Sequence, residues 1–241
     1  MNLKILQKLT KTIAAIMLAI AVVCAAGCTK DNGGNGSYNG HDYVDLGLRS
    51  GTLWATCNVG AETSEAYGDY FAWAETQSKT NYNWSTYAYS NGDYNQLTKY
   101  CTQSDFGYNG FTDNLKSLQP SDDAATVNWG EGWRTPTYSE WVELVSRCDY
   151  TWTTQNGVNG FLFTAHNGNS IFLPAAGIRT DTVYDNVGRG GRYWSSSLSK
   201  SLPDMAKGFS FSWNGSDWID HDIYEYSREF GLVVRPVHSV K

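Results

Sequence analysis

Beyond its first forty residues the chain is a series of short apolar runs separated by Gly- and Asn-rich turns. "LWATCNV" (53–59) and "DYFAW" (69–73) are apolar or aromatic stretches bounded by Gly and Glu-Thr, the length and chemistry of short strands. "FLFTA" (161–165) and "SIFLPAAG" (170–177) are joined by His166-Asn167-Gly168-Asn169. Asn-Gly between apolar runs predicts a hairpin, because both residues tolerate positive φ. "GFSFSW" (208–213) alternates Phe209, Phe211 and Trp213 with Gly and Ser, the period of a half-buried strand. Asn214-Gly215 then predicts a turn, and "FGLVVRPV" (230–237) a final buried strand with Pro236 near its end.

Two segments read as helical. "PSDDAATVNW" (120–129) places Ser and Asp where an N-cap and first turn want them. "GEGWRTPTYSEW" (130–141) holds a capping box: Thr137 is three residues before Glu140, so each side chain can take the other's backbone amide. Trp141, Leu144, Val145 and Cys148 follow at i, i+3, i+4 and i+7, one buried face. Helix initiation alone explains this stretch. Residues 76–119, crowded with Asn, Tyr, Ser and Thr, have no sustained period. They form either a functional excursion or short strands hidden from the pattern.

The N-terminus changes the picture of where the chain works. Lys4, Lys8 and Lys11 precede an apolar run at Ile13–Val23. That run is too short for a permanent span and has the length of a signal-peptide core. It leads to Ala25-Ala26-Gly27-Cys28, which resembles a bacterial lipoprotein cleavage site with Cys28 as the lipidated first residue. Ordinary secretory cleavage near Ala26 is the alternative. Residues 1–27 are thus expected to be the signal, 28–40 a lipidated Cys with a flexible Gly/Asn tether, and 41–241 one domain. About 200 residues suffice for a single core. The signal carries three Lys and no acid, so its removal takes the formal charge from −6 to −9. Such an acidic balance argues against nucleic acid and leaves membrane attachment to acyl chains on Cys28. Cys57, Cys101 and Cys148 then remain, allowing at most one disulfide.

Six stretches together carry a resemblance: "VDLGLRSGTLWATCNVGA" (44–61), "GDYFAWAET" (68–76), "DDAATVNWGEGWRTPTYSEW" (122–141), "FLPAAGIR" (172–179), "GGRYWSSS" (190–197) and "FGLVVRPV" (230–237). In this order they resemble the Fibrobacter succinogenes major paralogous domain, a family frequent in cell-surface proteins of gut Bacteroidetes. That family is in turn similar to the formylglycine-generating-enzyme branch of the C-type-lectin-like fold. The resemblance implies an α+β architecture: short twisted antiparallel sheets, two flanking helices, long loops and neighbouring terminal strands.

It does not bring chemistry with it. The copper-using members of that branch need two Cys near the C-terminus, and here no Cys follows Cys148. Iron sites need a His-rich facial set, whereas His41, His166, His221 and His238 are scattered. "GRGGR" (188–192) lacks the Lys-Ser/Thr of a phosphate loop. Asp220-x-Asp222 could contribute to calcium, but the lectin motifs around it are incomplete. No catalytic, cofactor or metal residue is assigned. What is left is a surface, "WNGSDWIDHDIYEYSR" (213–228). Trp213, Trp218, Tyr224 and Tyr226 are expected to stack on sugar or fill pockets. Asn214, Asp217, Asp220, Asp222 and Arg228 are expected to supply polar contacts. These residues are expected to be loops, with 82–110 as a second contributing segment. The expected function is binding of a glycan or protein ligand by a non-enzymatic, outer-membrane, surface-exposed lipoprotein. The rivals are a subunit of an envelope or fimbrial assembly and, behind it, a metal-dependent oxidoreductase.

Overall fold

Strand dominates the described part of the chain, 41% against 14% helix, the balance of an α+β or mainly-β architecture built largely from sheet. The computed structural model describes residues 34–213, 215 and 219–239, which from Asn35 onward form one compact unit. One five-stranded sheet has the order β1 (Gly36–Tyr38), β2 (His41–Asp45), β3 (Thr52–Ala55), β15 (Val237–Ser239), β5 (Trp133–Arg134). A second runs β13 (Ile219–Ser227), β12 (Met205–Trp213), β11 (Gly190–Leu198), β14 (Leu232–Val233), β4 (Tyr70–Phe71). A meander joins β6 (Cys148–Gln155), β7 (Val158–Ala165) and β8 (Ser170–Pro174), and β9 (Ile178–Thr180) pairs with β10 (Val183–Asp185). The helices are α1 (Ala124–Trp129) and α2 (Tyr138–Arg147).

The period-2 signal in 208–213 sets the core. Phe209 and Phe211 are fully buried on the face of β12 that meets the meander. Phe211 stacks on Phe161 at 4.3 Å, Phe209 meets Phe163 edge-on at 5.9 Å, and Trp141 of α2 stacks on Phe209 at 5.0 Å. Each such side chain removed from water stabilises the fold by about 1.5–3 kcal/mol. The hairpin expected at 166–169 forms between β7 and β8. Thr137 and Glu140 make the capping box, and Trp141 and Leu144 are buried beneath it. Asp123 caps α1, accepting the Ala125 and Thr126 amides.

Three expectations need correction. The run 230–237 is two strands, not one: β14 lies parallel to β11, while β15 pairs with β3 and β5 in the other sheet. Between them Pro236 has no amide to offer. The Arg235 side chain is buried against Asn58 Oδ1 and the carbonyls of Ala55, Thr56 and Phe172. Most of 213–228 is also strand, for β13 pairs with β12 in continuous antiparallel register. Finally, part of the 28–40 tether is ordered sheet. Asn39 and Gly40, at φ 49° and 79°, turn a tight hairpin between β1 and β2.

That hairpin is clasped to the domain. The Trp133 indole donates to the Tyr38 carbonyl at 3.0 Å, Tyr38 stacks on His238 at 4.2 Å, and His41 stacks on Trp129 at 3.8 Å. Gly132 makes this possible: its φ is +97°, and a Cβ there would come within 2.8 Å of the Tyr38 ring. Gly132→Ala is therefore expected to cost about 1–3 kcal/mol. The check is a lower urea midpoint together with faster proteolysis at 34–40; an unchanged midpoint would remove the clasp from the account.

Residues 76–119 carry no named strand, only 3₁₀ turns at Trp84–Thr86, Ser104–Phe106 and Tyr108–Gly110 and isolated bridges such as Ser90 with Leu97. Tyr82, Tyr87, Leu97 and Tyr100 are nevertheless buried. The segment is packed through its aromatic side chains instead of a backbone ladder.

Candidate functional site

The register of β12 against β13 builds the site. Successive side chains of a strand point to opposite faces, so Asp220, Asp222, Tyr224 and Tyr226 share one face of β13. Opposite them on β12 stand Ser212, Ser210, Gly208 and Ala206. Large polar and aromatic groups on the edge strand thus face small ones on its neighbour, giving a shelf. Tyr224 is 41% exposed, Asp222 is exposed and Asp220 is half-buried. The Tyr224 hydroxyl donates to the Asp220 carboxylate at 3.1 Å, and this bond raises the phenol's pKa. Tyr226 is half-buried, its ring edge-on to Trp194 at 6.2 Å, and burial pushes its phenol up. The other face of β13 is structural: His221 lies 4.3 Å from Tyr150, Ile223 packs on the core, and Glu225 pairs with Lys207 at 3.6 Å.

Arg228 is not part of this shelf. It is 0% exposed, against the expectation of a surface contact. Its guanidinium donates to the Tyr87 hydroxyl and to the carbonyls of Lys99, Tyr100 and Pro203. The chain turns inward at the end of β13, and four acceptors from distant segments take the cation. The expected contacts Asn214, Asp217 and Trp218, like Cys28, lie outside the described residues.

Where β12 ends and β11 begins, a trough of about 610 Å³ opens between Trp213, Ser212, Arg189, Asn186 and Asn159. Trp213 is half-buried and lies 5.6 Å from Trp152 of β6 at 30°. Its amide donates to the Arg189 carbonyl. Asn159 is fixed from both ends: its amide donates to the Gly188 carbonyl at 3.1 Å, and its oxygen accepts from Thr154 at 2.7 Å. Sequence reasoning found Trp213 but missed Asn159, Asn186 and Arg189. The one available signal was "GRGGR", weighed as a phosphate cradle. The amides of Gly188, Arg189 and Gly190 are in fact all taken, by the carbonyls of Ala175 and Asn186. The glycines serve packing: a Cβ at Gly191 would run into the Phe211 ring. What the motif displays is the Arg189 side chain.

No protein family, curated protein or solved structure matches the chain. The case for function is carried by the side chains themselves.

Among the described residues, no group of three or more His, Cys, Asp or Glu is arranged to hold a metal ion. The histidines sit apart: His41 on Trp129, His221 by Tyr150, His238 on Tyr38, and His166 exposed in its turn. Cys57, Cys101 and Cys148 are unpaired. Burial raises all three thiols, Cys148 to about 11, which keeps them protonated and weakly nucleophilic. Ser195 donates to the Lys207 carbonyl across a bulge in β11. Glu140 is a structural anion. Burial alone would raise its pKa. Two hydrogen bonds from Arg134 at 2.7 and 2.5 Å, with others from Thr137 and Thr52, outweigh that and hold it at about 2.

Proposed function

We propose that this chain is a non-enzymatic binding module, held at the outer-membrane surface through lipid on Cys28, that takes a glycan or protein ligand on the β12–β13 shelf and the trough beside it. We further propose a C-type-lectin-like fold of the major-paralogous-domain kind. The two helices, the long irregular 76–119 segment and the pairing of β3 with the C-terminal β15 support that assignment.

The carrying observation is the shelf: Tyr224 and Asp222 stand exposed on an edge strand whose partner offers only Gly208 and Ser210 opposite them. Rigid aromatic and carboxylate groups beside small ones give contact area with little ordering entropy to lose. Assembly by addition of a partner's strand is the rival use of this edge. Against it, the Ile223 amide already donates to Asp222 at 2.7 Å, so one backbone donor of the edge strand is engaged within the chain. The carboxylates along β13 also blunt an edge.

The test is an array of neutral and acidic glycans and glycoproteins, probed with the full mature chain and with Asp222→Ala/Tyr224→Ala. The variant is expected to bind the wild type's best target at least tenfold more weakly, about 1.4 kcal/mol, with unchanged circular dichroism. Equal binding by both proteins would take the shelf out of the function.

A further inference from the structure

The trough is more than an extension of the shelf, because of one side chain. Four other arginines spend their guanidinium groups internally. Arg134 is spent on Glu140, Arg179 on the Lys79 and Thr80 carbonyls, Arg228 and Arg235 on buried acceptors. Arg189 is exposed, lines the trough, and among the described residues has no hydrogen-bond or carboxylate partner for its side chain. Arg49 and Arg147 are exposed as well, but it is Arg189 that lines the trough, a cationic group in a chain of net charge −6.

Its surroundings narrow what it would meet. Trp213 supplies an indole to the lining, a surface on which the C–H face of a pyranose packs. Asn186 is held at φ 58° with its side-chain Nδ2 on Asp185 at 2.9 Å, which leaves its Oδ1 as an acceptor for a hydroxyl. Asn159 braces the floor through Gly188 and so fixes the backbone that carries Arg189. A hollow of about 610 Å³ is within the range that encloses a ligand of two or three rings. The planar guanidinium fork matches a carboxylate or sulfate in two-point contact.

We propose that the trough is a subsite for an anionic saccharide: a sugar ring against Trp213, its acid group paired with Arg189, a hydroxyl on Asn186. This rests on the reading of the same end of the domain as a binding face, and it adds the charge class of the ligand. An acidic peptide would satisfy Arg189 but would leave the Asn and indole pair without its match.

The test is titration calorimetry on the full mature chain at fixed ionic strength. The probes are a uronic-acid trisaccharide, the same trisaccharide with its carboxyl groups reduced to alcohols, a sulfated neutral trisaccharide, and a short Glu-rich peptide. The wild type is expected to prefer at least one acidic sugar over the reduced one by tenfold or more; whichever acid is preferred identifies the group. Arg189→Gln is expected to erase that preference while leaving the weak binding of the reduced sugar unchanged. Arg189→Lys is expected to recover only part of it. Because Arg189 is exposed, circular dichroism and melting should not change.

Equal affinity for acidic and reduced sugars, a preference that survives Arg189→Gln, or binding of the Glu-rich peptide alone would each overturn the proposal. So would no binding of any acidic sugar at millimolar concentration. The shelf variant is scored separately on the glycan array. A neutral or protein ligand lost in Asp222→Ala/Tyr224→Ala would leave the binding reading standing with the anionic subsite gone.

Discussion

Arg228→Met is expected to lower the free energy of unfolding by about 3–5 kcal/mol, the large end for one substitution that breaks a buried hydrogen-bond network. The side chain is 0% exposed. Its Nε donates to the Tyr87 hydroxyl at 2.9 Å, one terminal nitrogen to the Tyr100 and Pro203 carbonyls at 3.2 and 2.8 Å, and the other to the Lys99 carbonyl at 3.1 Å. The guanidinium also lies 5.1 Å from the Trp73 ring and 5.2 Å from the Tyr87 ring. None of these hydrogen-bond partners is a carboxylate. The cation is held by neutral acceptors and ring faces, so Met fills the volume and orphans several buried oxygens at about 1–3 kcal/mol each before relaxation. The acceptors come from segments with no ladder of their own, and Arg228 is what fastens 87–101 to the end of β13. The loss should therefore be seen as a melting drop of roughly 10 °C for a domain of this size. Faster amide exchange should be concentrated in 87–101. Arg228→Lys should recover little, since one ammonium cannot reach acceptors spread around a planar fork. A cost under about 1 kcal/mol, or exchange spread evenly over the domain, would show that Arg228 does not hold that segment.

Arg228 also marks where sequence reasoning stops. It was expected at the surface because it follows a polar, aromatic stretch. Its burial depends on carbonyls about 25 to 130 residues away, and no local pattern records them. The parts that were legible have local causes. Thr137 and Glu140 are three residues apart and meet within one helical turn. Phe209 and Phe211 alternate because they share the face of β12 that packs on the meander. β13 was hidden because its outward face is polar enough to pass for loop, and β1 because Gly and Asn read as tether until Asn39-Gly40 is recognised as a hairpin turn. The apolar run 230–237 announced burial but not that the chain changes sheets at Arg235 and Pro236. Of the site, the aromatic and acidic residues of the shelf were visible as composition. The trough was not, because Asn159, the 186–189 turn and Trp213 come from three segments joined to one another by tertiary hydrogen bonds.

Glu140→Gln is expected to cost about 3 kcal/mol at neutral pH and almost nothing near pH 2. The carboxylate accepts both terminal nitrogens of Arg134, the Thr137 amide and hydroxyl, and the Thr52 hydroxyl. It thereby ties β3, β5 and the first turn of α2 together. Its folded pKa of about 2 lies below the ordinary 4.5, a gap worth about 3 kcal/mol at 1.36 kcal/mol per unit. A depressed folded pKa stabilises above the unfolded value, and that stability is lost as pH falls through the folded one. The window is therefore from about pH 4.5 down to about 2. Asp122 works in the same direction: burial raises it, but hydrogen bonds led by Lys99 bring it below its ordinary value. Asp123 works in the opposite direction, since burial raises its carboxyl despite four hydrogen bonds, so its contribution is largest in acid and fades as pH rises. The whole-protein profile mixes these signs, whereas the difference between wild type and Glu140→Gln isolates one group. Urea unfolding of both proteins between pH 7 and 2 should show that difference shrinking through the window. A constant gap would mean that the network holds by packing instead of charge. Trp141, one residue on, stacks on Phe209, and the opposite face of that strand forms part of the shelf. Glu140→Gln should thus lower stability without changing ligand affinity at neutral pH while the domain remains folded, the opposite of the result expected from Arg189→Gln.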